Sequence, residues 1–119
     1  MANFDGNYTY SNAVKGTYLE KSKAVDSFDP NAFGLYNMHG NVWEWCLDPW
    51  HSDYTNAPSD DLVWDASNYS GSKSRLIRGG SWRNRPGSCR SAYRYNGVLA
   101  YRLNNLGFRV VCLFSQGPS

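Results

Sequence analysis

Two strand-like pieces, RGGSW at 78–82 and GFRVV at 107–111, bracket a stretch dominated by Asn, Tyr, Arg and Gly. A core needs apolar side chains, and this stretch supplies mostly polar and aromatic ones. A chain of this kind must hold a polar, ring-bearing surface on a rigid frame. Such a surface reads as a place where something binds. The frame cannot rest on aliphatic runs, which are few. Aromatic residues make up 16% of the 119, with five Trp, nine Tyr and five Phe, so rings must build much of the core. The length allows one small domain, 1–119, or a piece of a larger one.

Period-two patterning supplies the frame. In NVWEWCL at 41–47, Val42, Glu44 and Cys46 fall on one side and Trp43, Trp45 and Leu47 on the other, which predicts a strand. Further strands are expected over 74–82, where Leu76 and Ile77 break the alternation, over 88–95 and over 106–113. Asp29-Pro30-Asn31 predicts a turn, followed by one helical turn within 31–36. Residues 51–74, rich in Ser, Asp, Asn and Pro, read as a long connection, and 114–119 as a short tail. These elements predict an all-β or α+β domain with much irregular structure.

Charge is uneven. Residues 1–65 carry all ten acids against three lysines, a balance of −7, while 66–119 carry Lys73 and eight arginines without an acid, a balance of +9. The arginines are spread singly, so pairing with the acidic half and stacking on rings are expected, and a nucleic-acid partner is not. Three cysteines, Cys46, Cys89 and Cys112, are read as buried small hydrophobes, with Cys46–Cys89 the pair that could close. His39 and His51 have no cysteine neighbours at zinc spacing, and His39 is read as structural. No apolar stretch approaches the roughly 18 residues of a membrane span. The N-terminus has no basic and apolar signal regions, so a cytoplasmic setting is the default, with surface display through a longer parent chain also compatible.

One set of motifs goes further. GLYNMHGNVWEW at 34–45, RGGSW at 78–82, RSAYR at 90–94 and GFR at 107–109 together resemble the formylglycine-generating enzyme, or sulfatase-modifying factor, family. The resemblance runs from about Asn3 to Val111 and covers the C-terminal half of such a domain. It implies an α+β, C-type-lectin-like fold of small antiparallel sheets with much irregular loop, its helical half largely missing. A sheet face left bare by that omission could be covered by self-association into a homo-oligomer. The family's enzymes hold copper with two cysteines after the Gly-Gly-Ser strand. Here Asn84 stands at the first position, and Cys89 alone is near the second, so no copper is expected. The family also binds calcium at the Asn-x-x-Gly-Asn-x-Trp-Glu turn. Carried over, the ligands are the Asn37 side chain, the Gly40 and Val42 carbonyls and the Glu44 carboxylate.

Residues 82–107 narrow the resemblance. Framework-like positions Pro86, Cys89, Arg90, Ser91, Ala92, Arg94 and Arg102 interleave with residues of another character. This is similar to the variable proteins of diversity-generating retroelements. Those proteins present a ligand-binding surface of mutable residues on a lectin-like domain. The candidate binding residues are Arg83, Asn84, Arg85, Ser88, Tyr93, Tyr95, Asn96, Tyr101, Leu103, Asn104 and Asn105. Their composition resembles a paratope: stiff amphipathic rings beside adaptable amides. Alternation puts Tyr93 and Tyr95 outward and Ala92 and Arg94 inward. The expected function is noncatalytic binding of a protein or other macromolecule. The alternative is a fragment or relative of a sulfatase-modifying oxidase.

Overall fold

The computed structural model describes residues 2–60, 62–65 and 73–112. Four strands form one mixed sheet: β1 (Trp43–Pro49), β2 (Ser74–Arg78), β3 (Tyr95–Val98) and β4 (Leu106–Gly107), in the order β3-β2-β1-β4. β2 runs antiparallel to both neighbours, and β4 runs parallel to β1. Register sets the faces. Tyr95 pairs with Ile77 and Ile77 with Trp45, so these three share a side with Trp43, while Glu44, Arg78, Leu76 and Asn96 point the other way. The buried apolar set is Trp43, Leu76, Ile77, Trp82 and Cys89. Rings dominate it, as the composition requires.

Buried amides fix the irregular half. Asn41 accepts from the Lys23 amide at 2.8 Å and from Asn3 Nδ2 at 3.2 Å, and its own carbonyl accepts from Trp82 N–H. Through its side chain and its carbonyl, Asn41 thus ties residues 3, 23 and 82 to the start of β1. Gly40 precedes it at φ 81°, and a Cβ there would lie 2.2 Å from the Asn3 carbonyl oxygen. Only glycine allows that approach.

Several sequence expectations are corrected. Among the described residues there is no α-helix, in line with the helical half expected to be largely missing, but the sheet is mixed where small antiparallel sheets were expected, because β4 runs parallel to β1. Residues 31–36 form an Asx turn, because Asn31 Oδ1 takes the amides of Phe33 and Leu35. The strand expected at 41–47 begins and ends two residues later. That expected over 74–82 stops at Arg78, because Gly79 and Gly80 adopt φ 88° and 73° and turn the chain away. Residues 88–95 are not a strand. Pro86 starts a 3-10 turn over Pro86–Cys89, and pairing with β2 begins only at Tyr95. β4 ends at Gly107, where its pairing with β1 stops. The far end of that expected strand, at 113, lies outside the described residues, as do the tail 114–119 and part of the connection 51–74.

Arginine stacking is seen throughout. Arg94 lies 5.0 Å from the Trp50 ring and 4.3 Å from the Tyr54 ring, and donates to the His51 carbonyl at 2.8 Å. The connection after β1 is thereby clamped to the approach to β3. All three cysteines are free, so Cys46 and Cys89 are not joined. Cys89 is buried, but Cys112 is exposed, because it lies beyond the last paired residue of the sheet.

Candidate functional site

Trp43 is the centre of the site. It is 6% exposed, and its backbone N–H donates to the Asn105 carbonyl at 2.8 Å. Tyr95 stacks on its ring at 5.6 Å and 25°, and Tyr93 leans on it at 6.0 Å and 39°. Arg90 caps Tyr93 at 5.1 Å. Each ring pair contributes about 0.5–1.5 kcal/mol beyond its buried area. The rings are therefore held in place, yet Tyr95 remains 50% exposed. Next along the same face, Tyr101 and Leu103 join Trp45, Arg102, Leu106 and Phe108 around a groove of about 570 Å³. Tyr101 is 43% and Leu103 50% exposed.

Beneath this surface Ser81 is fully buried. Its Oγ donates to Asn84 Oδ1 at 2.5 Å and accepts from Asn105 Nδ2 at 3.1 Å. The Asn84 carbonyl also accepts from Asp5 N–H. Asn84 and Asn105 therefore fasten the loop and are not free contact residues. Arg83 lies over Trp82 at 5.5 Å, Arg85 over Tyr8 at 4.0 Å, and the Ser88 amide donates to the Arg85 carbonyl. These three sit on the 83–89 loop and not on the Trp43 platform. Asn96 faces the opposite side of the sheet, and Ala92 is exposed where alternation placed it inward. Asn104 is exposed beside Leu103. The structure thus gathers Tyr93, Tyr95, Tyr101 and Leu103, with Asn105 fastened beneath them, and adds Trp43, Trp45 and Arg90. The alternation of NVWEWCL already put both tryptophans on one face and could have found them.

Cys89 lies behind the platform. Its Sγ is packed where a Gly80 Cβ would lie 2.6 Å away, and it donates to the Ser81 carbonyl at 3.9 Å. Burial pushes the thiol up to about 11. The Cys89 carbonyl bonds His39 Nδ1 at 2.7 Å, which occupies that ring nitrogen structurally.

The family model described as "Sulfatase-modifying factor enzyme 1-like domain" matches residues 1–113. The chain belongs to this family. It is 33% identical over 109 residues to the mouse formylglycine-generating enzyme, covering 89% of this chain and 28% of that one. To the Streptomyces coelicolor enzyme of the same name it is 34% identical over 111 residues, covering 89% and 33%. Solved structures agree. PvdO from Pseudomonas aeruginosa superposes with a TM-score of 0.71 at 33% identity, covering 89% of this chain and 43% of PvdO. Treponema denticola variable protein 1 gives 0.63 at 36%, covering 76% and 31%. The domain spans about a third or less of the length of these curated relatives.

The metal chemistry that the family implies can be tested on the residues present. Copper(I) requires soft, deprotonated sulfur. This sulfatase-modifying-factor-like domain offers the buried, protonated Cys89, with Asn84 on Ser81 where a second thiolate would be needed. The donor set does not fit copper. For calcium, Glu44 supplies the one carboxylate of the four candidate ligands. Arg109 holds both its oxygens, Nε to Oε2 at 2.8 Å and a terminal nitrogen to Oε1 at 2.7 Å. The pair raises the Arg109 pKa above its ordinary value. Asn37 turns its amide nitrogen to the Val25 carbonyl at 2.7 Å. Calcium takes six to eight oxygens with substantial negative charge. A carboxylate already neutralised by a guanidinium, with Gly40 and Val42 carbonyls, fits that demand poorly.

Proposed function

We propose that this domain is a noncatalytic binding module whose ligand seats on the ring surface of Tyr93, Tyr95, Tyr101 and Leu103 over Trp43 and Trp45. The observation that carries the reading is the Trp43–Tyr95 stack: a half-exposed ring held rigid by a buried one. Rigid amphipathic rings bind at low entropic cost, because little freedom remains to lose. The groove beside them suits an apolar anchor from a protein or other macromolecular ligand. The structural likeness to a variable protein supports this reading, and so does the mixture of exposed replaceable positions and fastened ones. In the diversified form of the proposal, Tyr95, Tyr101, Leu103 and Asn104 change between copies of the segment, while Ser81, Asn84 and Asn105 do not.

The alternative, a fragment of a formylglycine-generating oxidase, draws on the names of the curated relatives. The lone buried thiol weighs against it. The test is a display library randomised at Tyr95, Tyr101, Leu103 and Asn104, selected against several unrelated immobilised proteins. Specific binders that lose affinity when their selected residues are changed to Ala, with the melting temperature unchanged, are expected. A library of folded members from which no target recovers a binder would end the proposal. In parallel, the protein with copper(I), oxygen and a cysteine peptide is expected to yield no formylglycine, and turnover would favour the oxidase.

A further inference from the structure

Two arginines stand beside the ring platform, and both are held in the same way. Arg90 lies over Tyr93 at 5.1 Å and donates from Nη1 to the Gly87 carbonyl at 2.5 Å. Arg102 lines the groove with Tyr101 and Leu103, and donates from Nη1 to the Leu99 and Tyr101 carbonyls at 3.1 and 2.9 Å. In each case a carbonyl three residues earlier holds one terminal nitrogen. The opposite edge of the guanidinium, Nε and Nη2, has no partner among the described residues. Both residues are exposed.

That edge is the one that takes a carboxylate. Arg109 shows the mode within the same molecule: its Nε and Nη2 hold the two oxygens of Glu44 at 2.8 and 2.7 Å. Residues 1–65 hold ten acids, yet none of the described ones reaches Arg90 or Arg102. Residues 82–107, which carry the tyrosines of the platform, hold no acid at all. Glu44 lies between Trp43 and Trp45 in sequence, but it faces the other side of the sheet and is occupied by Arg109. The charge of Arg90 and Arg102 therefore stands uncancelled beside the rings.

We propose that the ligand of this platform is an acidic segment of a partner protein, with an apolar side chain in the groove and carboxylates on the Nε–Nη2 edges of Arg90 and Arg102. The inference rests on the binding reading above and adds the charge of the partner. Carbonyls restrain both guanidiniums before binding, so less freedom is lost when a carboxylate arrives. A protein suits the surface better than a nucleic acid does. The groove of about 570 Å³ between Trp45, Leu103, Leu106 and Phe108 takes an apolar anchor, which a phosphate backbone lacks.

The test pans the 119-residue protein against a displayed random-peptide library and measures the recovered peptides by fluorescence anisotropy. Asp and Glu are expected to be enriched beside an apolar residue. Arg90→Gln and Arg102→Gln are each expected to weaken these peptides about tenfold at an unchanged melting temperature. Arg90→Lys and Arg102→Lys are expected to restore part of the loss, because an ammonium keeps the charge without the fork. Lys15→Gln removes the same charge from an exposed residue of the acidic half, and is expected to change affinity by no more than about twofold. Recovered peptides with no excess of acid, whose affinity still falls on Tyr95→Ser, would overturn the inference and leave the platform reading standing. So would an equal loss in Lys15→Gln, or an oligonucleotide bound as tightly as the peptides through Arg90 and Arg102. Peptides indifferent to Tyr95, Tyr101 and Leu103 would overturn both, as would a library that yields no binder.

Discussion

Arg109→Met removes the guanidinium from Glu44 while keeping most of the apolar stem. Three hydrogen bonds go with it: two to the Glu44 carboxylate at 2.8 and 2.7 Å and one to the Tyr36 carbonyl at 2.7 Å. The side chains of Arg109 and Glu44 are 31% and 22% exposed, so neither limiting case applies. Fully exposed pairs contribute about 0.2–1 kcal/mol. Losing one partner of a fully buried pair costs about 3–5 kcal/mol. A short bidentate pair between those limits, discounted for its solvent contact, is expected to cost about 2 kcal/mol when Arg109 is lost. In a domain of this size that corresponds to a fall in Tm of roughly 8 °C. Glu44→Gln keeps one acceptor and is expected to cost about 1 kcal/mol. The assay is urea denaturation of wild type, both single variants and the double variant. A coupling energy of about 1 kcal/mol or more is expected, shrinking with added salt. Additive single effects would refute the claim that this pair fastens the edge of the sheet to β1.

Gly97→Ala places a Cβ 2.5 Å from the Trp45 ring and 2.9 Å from the Ile77 side chain, so a loss of about 1–3 kcal/mol is expected in thermal melts. The Cys89 thiol is raised from 9.0 to about 11, so its stabilising contribution is complete below pH 9 and is lost as pH rises through 11. At roughly 1.4 kcal/mol per unit, wild type is expected to lose about 2 kcal/mol more than Cys89→Ala between pH 8 and pH 11; parallel pH curves would contradict this. Calcium at millimolar concentration is expected to leave the Tm of wild type unchanged, and a saturable rise abolished by Glu44→Gln would restore the carried-over ligand set of Asn37, Gly40, Val42 and Glu44.

The tryptophan strand was legible because period two with bulky rings has few other meanings. The ends of strands were less so. RGGSW reads as a strand through Trp82 only if Gly79 and Gly80 stay in β geometry, and both adopt positive φ. GFRVV has strong β propensity, but propensity does not supply a partner, and β4 ends where β1 stops offering one. SCRSAYRY alternates well, yet Pro86 pre-empts it with a 3-10 turn and register with β2 starts later. Within the site, ring residues were readable as a class. Which amides would be fasteners was not, because the local Ser81–Asn84 bond becomes part of a brace only when Asn105, 24 residues on, reaches the same Ser81 hydroxyl. The Arg94 clamp and the Glu44–Arg109 pair were foreseen only as a tendency of scattered arginines to find rings and acids.

Thermal melting of single variants at Tyr95, Tyr101, Leu103 and Asn104, each changed to Ser, Asn and Arg, probes the frame most directly, with Trp43→Ala as the contrast. The three outermost positions should shift by no more than about 0.5 kcal/mol and Tyr95 by about 1 kcal/mol, whereas Trp43→Ala should cost roughly 3–5 kcal/mol. If the outward substitutions unfold the domain as readily as the loss of Trp43 does, these side chains are core and no binding surface exists there.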